Sequence, residues 1–367
     1  MSFPNQMAIA GGSSGRTVLA KVLIVAGGGA GAGKNFGGGG AGGLLEGDLA
    51  ITSNKIHQIQ VGAGGLTGSN ASATSSNPYF APISGNNGSN SKFGTTAGGA
   101  SPAEARGGGS SGSGNGGSGG AASRSSGTPA GNYNTNVGIG SNLSLEQLGL
   151  TFYGNNGGQT LQTGTFTAHG GGGGGAGGNG ANSGSTVNPS TTQGGAGGIG
   201  RIISWLPTAA ATSLGVGEVS GSNVYFAGGG GGGTNGSGIV GNFGGLGGGG
   251  DSRSESHTDH DPSSTNHLDA TPHTGGGGAG MSINSNGVFG GDGGTGVVVI
   301  RLSFTYNNLS SDFTNTSGLQ AVSYQAGGYT YIAFKCTSFG GPTTNATDAD
   351  AGLGAGVTGT GTWAPVF

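Results

Sequence analysis

The chain has a single cysteine, Cys336, in 367 residues. It can form no intrachain disulfide, which excludes a small secreted scaffold held by cystines. Charge is equally scarce. Asp, Glu, Lys and Arg make up 7% of the residues, 11 basic against 14 acidic, for a net charge of -3. So neutral a chain lacks the electrostatic footprint of a nucleic-acid or anionic-membrane binder. Long apolar runs are also missing, and no stretch approaches the ~20 residues that span a bilayer. The opening residues 1–6 carry neither a basic nor an apolar segment, so no secretion signal is expected. Proline is limited to 11 residues. With irregular glycine spacing, that excludes collagen, which needs strict Gly-X-Y and abundant proline. Apolar residues are 31%, too few to fill two ordinary cores, although the length alone would allow two domains.

What is abundant is glycine, 96 residues, far above the usual ~7%. Enrichment in glycine, serine and asparagine suggests disorder at first. The low charge argues for order instead, as do β-branched segments placed sharply between glycine runs: Val22-Leu23-Ile24-Val25 and Val297-Val298-Val299-Ile300. Ordering one residue costs about 1–2 kcal/mol, and glycine loses the most. A run such as 170–175 or 228–233 has no side chains to bury. Compensation must come from backbone hydrogen bonds and close backbone packing. A polyproline-II-like helix has three residues per turn and no internal hydrogen bonds, so every N–H and C=O points outward. Many such helices, packed side by side, could pair nearly all buried amides. The expected fold is therefore mainly β and irregular, with packed polyglycine-II helices framed by β-strands and almost no α-helix.

Residues 1–17 read as a lead-in for attachment. Residues 18–305 read as the glycine-rich domain, opening on a strand at 18–25 and closing on one at 297–304. Glycine thins after 305 and aromatics appear, so 306–367 reads as a small C-terminal β-rich domain. The best helix signal is 144–149, with Ser144 as N-cap, Gln147 three residues on and Gly149 closing it.

The opening Val22-Leu23-Ile24-Val25-Ala26-Gly27-Gly28-Gly29, then 37–43 and 60–65, resembles the start of glycine-rich domains in phage tail-fibre proteins. The segment 290–301 looks like their final strand. The resemblance covers about 20–305 and implies opening and closing strands that pair, with glycine segments packed between. Glycine-rich tip adhesins of T-even-like phages are more distantly similar, and that likeness implies variable loops that touch host receptors. No fibre-shaft repeat is present, so docking would use the lead-in or the C-terminal segment. The stretch 327–335 is similar to a strand in β-sandwich modules of marine phage structural proteins.

Some residues could carry chemistry. Residues 28–35 nearly form a P-loop, but Asn35 stands where Ser or Thr must hold Mg²⁺, and glycines follow where a helix must begin. The segment 251–274 holds four of the six histidines. His257, His260, His267 and His273 lie there with Asp259 and Asp261. Imidazole and carboxylate together can bind a divalent ion, and His257 with His260 is the candidate metal pair. The same polar side chains suit a receptor-contact loop. Tyr79, Tyr133, Tyr153 and Trp205 are candidates for stacking on sugars. Cys336, on an alternating apolar stretch, reads as a small buried residue rather than a nucleophile.

The function expected is a virion surface protein, a tail fibre or tail tip, made in the host cytoplasm and not an enzyme. It would need no cofactor beyond a divalent metal at the histidine-rich loop. Partners would be fibre, baseplate or capsid proteins and a host surface protein or polysaccharide, with no nucleic acid and no membrane insertion. A fibre-like assembly would be a trimer. The alternative is a structural fibre or decoration subunit with no receptor contact.

Overall fold

The computed structural model describes residues 15–32, 37–67, 85–95, 103–112, 114–121, 149–162, 168–184, 194–234, 242–252, 268–280, 290–337 and 358–367. Regular structure among them is nearly all β. The largest sheet has six strands in the order β14 (Leu319–Ala326), β15 (Tyr329–Cys336), β12 (Val297–Leu302), β1 (Thr17–Val25), β2 (Leu44–Thr52) and β6 (Leu150–Tyr153). A five-stranded sheet runs β13 (Phe313–Ser317), β16 (Gly359–Trp363), β3 (His57–Val61), β4 (Ser91–Thr95) and β5 (Ala103–Ala105). A three-stranded sheet joins β10 (Glu218–Ser220), β11 (Asn223–Phe226) and β9 (Arg201–Ile202), and β7 (Leu161–Gln162) pairs with β8 (Ala168–His169). Every pairing is antiparallel.

The opening and closing strands do pair: Val22 lies opposite Ile300 and Val25 opposite Val297. Both are apolar on both faces because the six-stranded sheet is central. Val22, Ile24, Val298, Ile300, Ile332 and Phe334 point to one side, where Ile59, Phe93 and Trp363 of the five-stranded sheet cover them. Leu23, Val25, Val297, Val299 and Ala333 point to the other, beneath Leu214, Val224 and Phe226. Each of the Val, Leu, Ile and Phe side chains among them contributes about 1.5–3 kcal/mol on burial. The scarce apolar residues are thus concentrated into two thin layers on either side of one sheet.

The expected C-terminal segment shares this architecture. β14 and β15 extend the central sheet from β12, while β13 and β16 continue the sheet of β3. Residues on both sides of position 305 therefore line one core.

The short helix α1 (Thr208–Leu214) covers the second face with Ala210, Ala211 and Leu214. Pro207 precedes it, and Gly215 closes it in the left-handed conformation at φ 64°, the usual proline-first, glycine-last arrangement. A four-residue turn, α2 (Leu309–Asp312), leads into β13. The helix expected at 144–149 falls almost wholly outside the described residues.

From the strand ends the glycine segments continue side by side. In 26–31, successive N–H groups donate to Gly43, Ser89, Gly294, Gly40, Asn86 and Gly291. The partner segment changes at each residue and recurs every third. Carbonyls of the same stretch accept from Gly65, Gly108, Ser111 and Gly278. Segment 26–31 thus lies among six others: 37–43, 85–90, 290–296, 62–67, 106–112 and 275–280. The pattern repeats in 38–43, whose donors go in turn to Gly171, Gly278, Gly109, Gly174, Gly275 and Arg106.

These glycines are needed for proximity rather than for unusual torsions. None of Gly28, Gly38 and Gly173 has positive φ. A methyl group on them would stand 1.8 Å from the carbonyl oxygen of Gly276, 2.0 Å from that of Gly230 and 1.9 Å from that of Gly39, respectively. Backbone occupies the space where side chains would be. The P-loop-like stretch is part of this lattice, with the N–H groups of Gly28, Gly29 and Gly31 committed to other chain segments.

Candidate functional site

Two regions present side chains in an organised way. The first is the end of the glycine lattice farthest from the central sheet. Segment 26–32 leaves β1 and 37–43 returns to β2, so 33–36 is flanked there. Gly290, after 281–289, packs against Gly31 and Ala32, and Gly85, after 68–84, packs against Ala30 and Gly31. Thr67, before 68–84, bonds Asp292 through its N–H at 2.7 Å and its hydroxyl at 2.9 Å. Gly280, before 281–289, donates to Gly231, and Ser252, before 253–267, donates to Asn242, which follows 235–241. Leu268, after 253–267, accepts from Ala279, whose own carbonyl accepts from Gly291. The described flanks of 33–36, 68–84, 235–241, 253–267 and 281–289 are therefore neighbours at one end.

Within that end sits a carboxylate pair. Asp292 is 5% exposed. Its N–H donates to Asp269 Oδ1 at 2.7 Å, and its own Oδ1 accepts both Thr67 bonds. Its Oδ2 has no hydrogen-bond partner among the described residues. Burial, and then the charge of Asp292, push Asp269 up to about 7. Burial also raises Asp292, although the Thr67 bonds oppose it.

His257, Asp259, His260, Asp261 and His267 lie outside the described residues, as do Tyr79 and Tyr133. Among the described residues no group of three or more His, Cys, Asp or Glu side chains is placed to hold a metal. His273, expected on a display loop, is instead buried. Its backbone takes φ 61°. Its N–H donates to Thr295 Oγ1 at 3.0 Å, and its Nδ1 lies 3.1 Å from the same oxygen. Burial, helped by the positive charge of Lys335, lowers its pKa to about 4. It acts as an internal brace because 268–274 runs back into the lattice, where Thr271 N–H donates to Gly248 and Thr274 C=O accepts from Ala227.

The second region is a strip across the central sheet, on the face that carries α1. Here the structure unites Tyr153 and Trp205, which the sequence only nominated separately. Arg201 lies 4.0 Å from the centre of the Tyr153 ring and donates to its hydroxyl at 3.0 Å. Glu46 pairs with Arg201 at 3.6 Å and accepts from Trp205 Nε1 at 3.1 Å. Arg301 then lies 5.7 Å from the Trp205 ring centre and 4.8 Å from that of Tyr329. The cross-strand row through Arg301 reads Asp48, Lys21, Arg301, Tyr331, Tyr324. Lys21 and Asp48 pair at 2.7 Å. Burial raises the Tyr331 hydroxyl, while the neighbouring Arg301 pulls the other way.

Sequence reasoning missed Glu46, Arg201, Arg301 and Tyr329 as members of one strip. No spacing links positions 46, 201 and 301. Glu46 and Arg301 share one face of the central sheet, and Arg201 reaches them from the three-stranded sheet that packs over that face.

Cys336 is 2% exposed, with its thiol against the Val61 carbonyl at 3.6 Å, and burial raises its pKa. It fills space in the core beside Phe334. No helix among the described residues is long and apolar enough to cross a membrane.

No curated protein matches the chain. A family model described as glycine-rich domain matches residues 11–303. Its span covers the opening strand, the lattice and the closing strand, so this chain belongs to the glycine-rich domain family.

Proposed function

We propose that this chain is a surface protein of a phage particle, a tail-fibre or tail-tip component that holds host-binding segments on a glycine scaffold. The observation that supports it is the convergence of the flanks of 33–36, 68–84, 235–241, 253–267 and 281–289 at one end of the lattice. A lattice that excludes side chains leaves recognition to the segments between its glycine runs. Tyr79 belongs to one of these segments, and His257, Asp259, His260, Asp261 and His267 to another.

In this proposal each glycine segment is a polyglycine-II helix. Partners that alternate with a period of three are what three residues per turn without internal bonds requires. Partners in the particle would be fibre, baseplate or capsid proteins, and the host ligand a surface protein or polysaccharide.

The test replaces 253–267 and, separately, 68–84 with short Gly-Ser connections. Each variant is checked for an unchanged circular dichroism spectrum and unfolding transition. Adsorption to host cells or isolated envelope material is then measured. Loss of adsorption with an intact fold is expected for at least one replacement. Full adsorption by both would leave the structural-subunit alternative, which electron microscopy of whole particles would place away from the tail end.

A further inference from the structure

We propose that Arg301, flanked by Trp205 and Tyr329, forms a binding subsite for an acidic polysaccharide that carries one carboxylate per sugar unit. This site lies on the central sheet. It goes beyond the host-binding reading above, which concerns the far end of the lattice.

Three cations stand on the strip. Arg201 is matched by Glu46 and Lys21 by Asp48. Arg301 has no carboxylate within ion-pair distance among the described residues. Its surroundings are the Trp205 and Tyr329 rings and the Tyr331 hydroxyl. One side of the guanidinium bonds the Tyr331 hydroxyl, and of its five N–H donors the remainder are offered to a planar partner such as a carboxylate. A single unmatched cation also fits one charge per sugar. A densely sulfated chain would call for several.

Tyr329 is 39% exposed at the turn between β14 and β15, and Trp205 is partly exposed on the opposite side of Arg301. Leu19, on the neighbouring strand and the same face, is 65% exposed. Sugar rings offer apolar C–H faces to such side chains while their hydroxyls stay in water. The side chains are also held before any ligand arrives. Trp205 is fixed by Glu46, which is fixed by Arg201, and Arg301 sits on a strand paired on both sides. Little ordering cost is left to binding.

The test titrates the purified full chain with three oligosaccharides of matched length: oligogalacturonate, neutral dextran and sulfated dextran. Calorimetry gives affinity. Tryptophan fluorescence reports Trp205, since Trp363 is buried. Oligogalacturonate should bind, dextran should not, and added salt should weaken the complex. Arg301→Gln should cost about ten- to hundred-fold in affinity, the range for a charge-assisted hydrogen-bonded pair. Arg301→Lys should recover only part, because an ammonium lacks the planar fork. Trp205→Phe should abolish the fluorescence change.

If Arg301→Gln does not fold, Tyr329→Ala at the turn replaces it, with an expected loss of about three- to ten-fold for one aromatic contact. Equal binding of dextran, tighter binding of the sulfated oligomer, no binding at all, or an unchanged affinity in Arg301→Gln would each overturn the proposal. Host adsorption of the same variants separates the two readings. Adsorption lost only on replacing 253–267 or 68–84 speaks for the far end, whereas oligogalacturonate affinity lost only in the Arg301 variants speaks for this site.

Discussion

His57 shows how a polar side chain lives in so thin a core. It is 1% exposed, stacked on Phe93 at 5.5 Å and tilted against Trp363 at 5.8 Å. Among the described residues neither ring nitrogen has a hydrogen-bond partner of ordinary geometry, and the Thr52 backbone offsets only part of the burial that lowers its pKa to about 4. A depressed histidine contributes stability that is complete above about 6.5 and is lost as pH falls through about 4. Between pH 7 and 4 the native chain should lose up to about 3 kcal/mol through this residue. His57→Phe keeps the stack without titrating, and denaturant unfolding at several pH values should show that share of the acid sensitivity removed. Asp269 has the opposite sign. Its raised pKa, about 7, means that its contribution is complete below about 3.8 and is lost as pH rises through about 7. Asp269→Asn keeps the acceptor for the Asp292 N–H. It should stabilise the protein at pH 8 by about 1 kcal/mol or more and leave it little changed at pH 4, again read by denaturant unfolding.

At the scale of elements, the glycine segments behave unlike helices or strands, because each is held by its neighbours rather than by itself. A methyl on Gly230 would stand 2.0 Å from the Gly278 carbonyl oxygen. Gly230→Ala should therefore cost about 3 kcal/mol or more, since backbone must move to admit it. Gly178, at the lattice edge, would place the same methyl 3.4 Å from Ile199 Cγ2, an ordinary contact. Gly178→Ala should change stability by no more than about 0.5 kcal/mol. Thermal unfolding of the two variants checks the contrast, and equal effects would remove close packing as the reason for glycine. Much of this level was legible in advance. The strands at both ends followed from their β-branched runs, and Tyr329–Cys336 from its alternation. The helix at Thr208–Leu214 was signalled by Pro207, three alanines and Gly215, but at seven residues it was too short for a periodicity to stand out.

For the molecule as a whole, the central sheet makes the C-terminal strands indispensable. Without β15 the apolar edge of β12 is bare, and without β16 the core loses Trp363, a fully buried side chain. A chain ending at 305 should be insoluble or molten, with no cooperative thermal transition, whereas the full chain should unfold in one step across its shared core. A soluble, cooperatively folding 1–305 fragment would show that the glycine-rich part stands alone.

The amino-acid sequence by itself determined that glycine is architectural here. Runs without side chains can be ordered only by backbone pairing, and the low charge and sharply placed β-branched segments made order the consistent reading. It also nominated Tyr153 and Trp205 as surface aromatics and Cys336 as a buried residue. Tertiary structure decided the rest. Which glycine segments are neighbours depends on contacts far apart in the chain, such as Gly28 with Gly294 and Gly39 with Gly278. Runs that differ only in position carry no mark of their partners. His273 looks like a member of a polar loop until its segment is seen running back into the lattice. Arg301 looks like the polar end of a strand until the fold brings Trp205 and Tyr329 beside it, because local sequence records which face a residue takes but not what a distant segment packs against it.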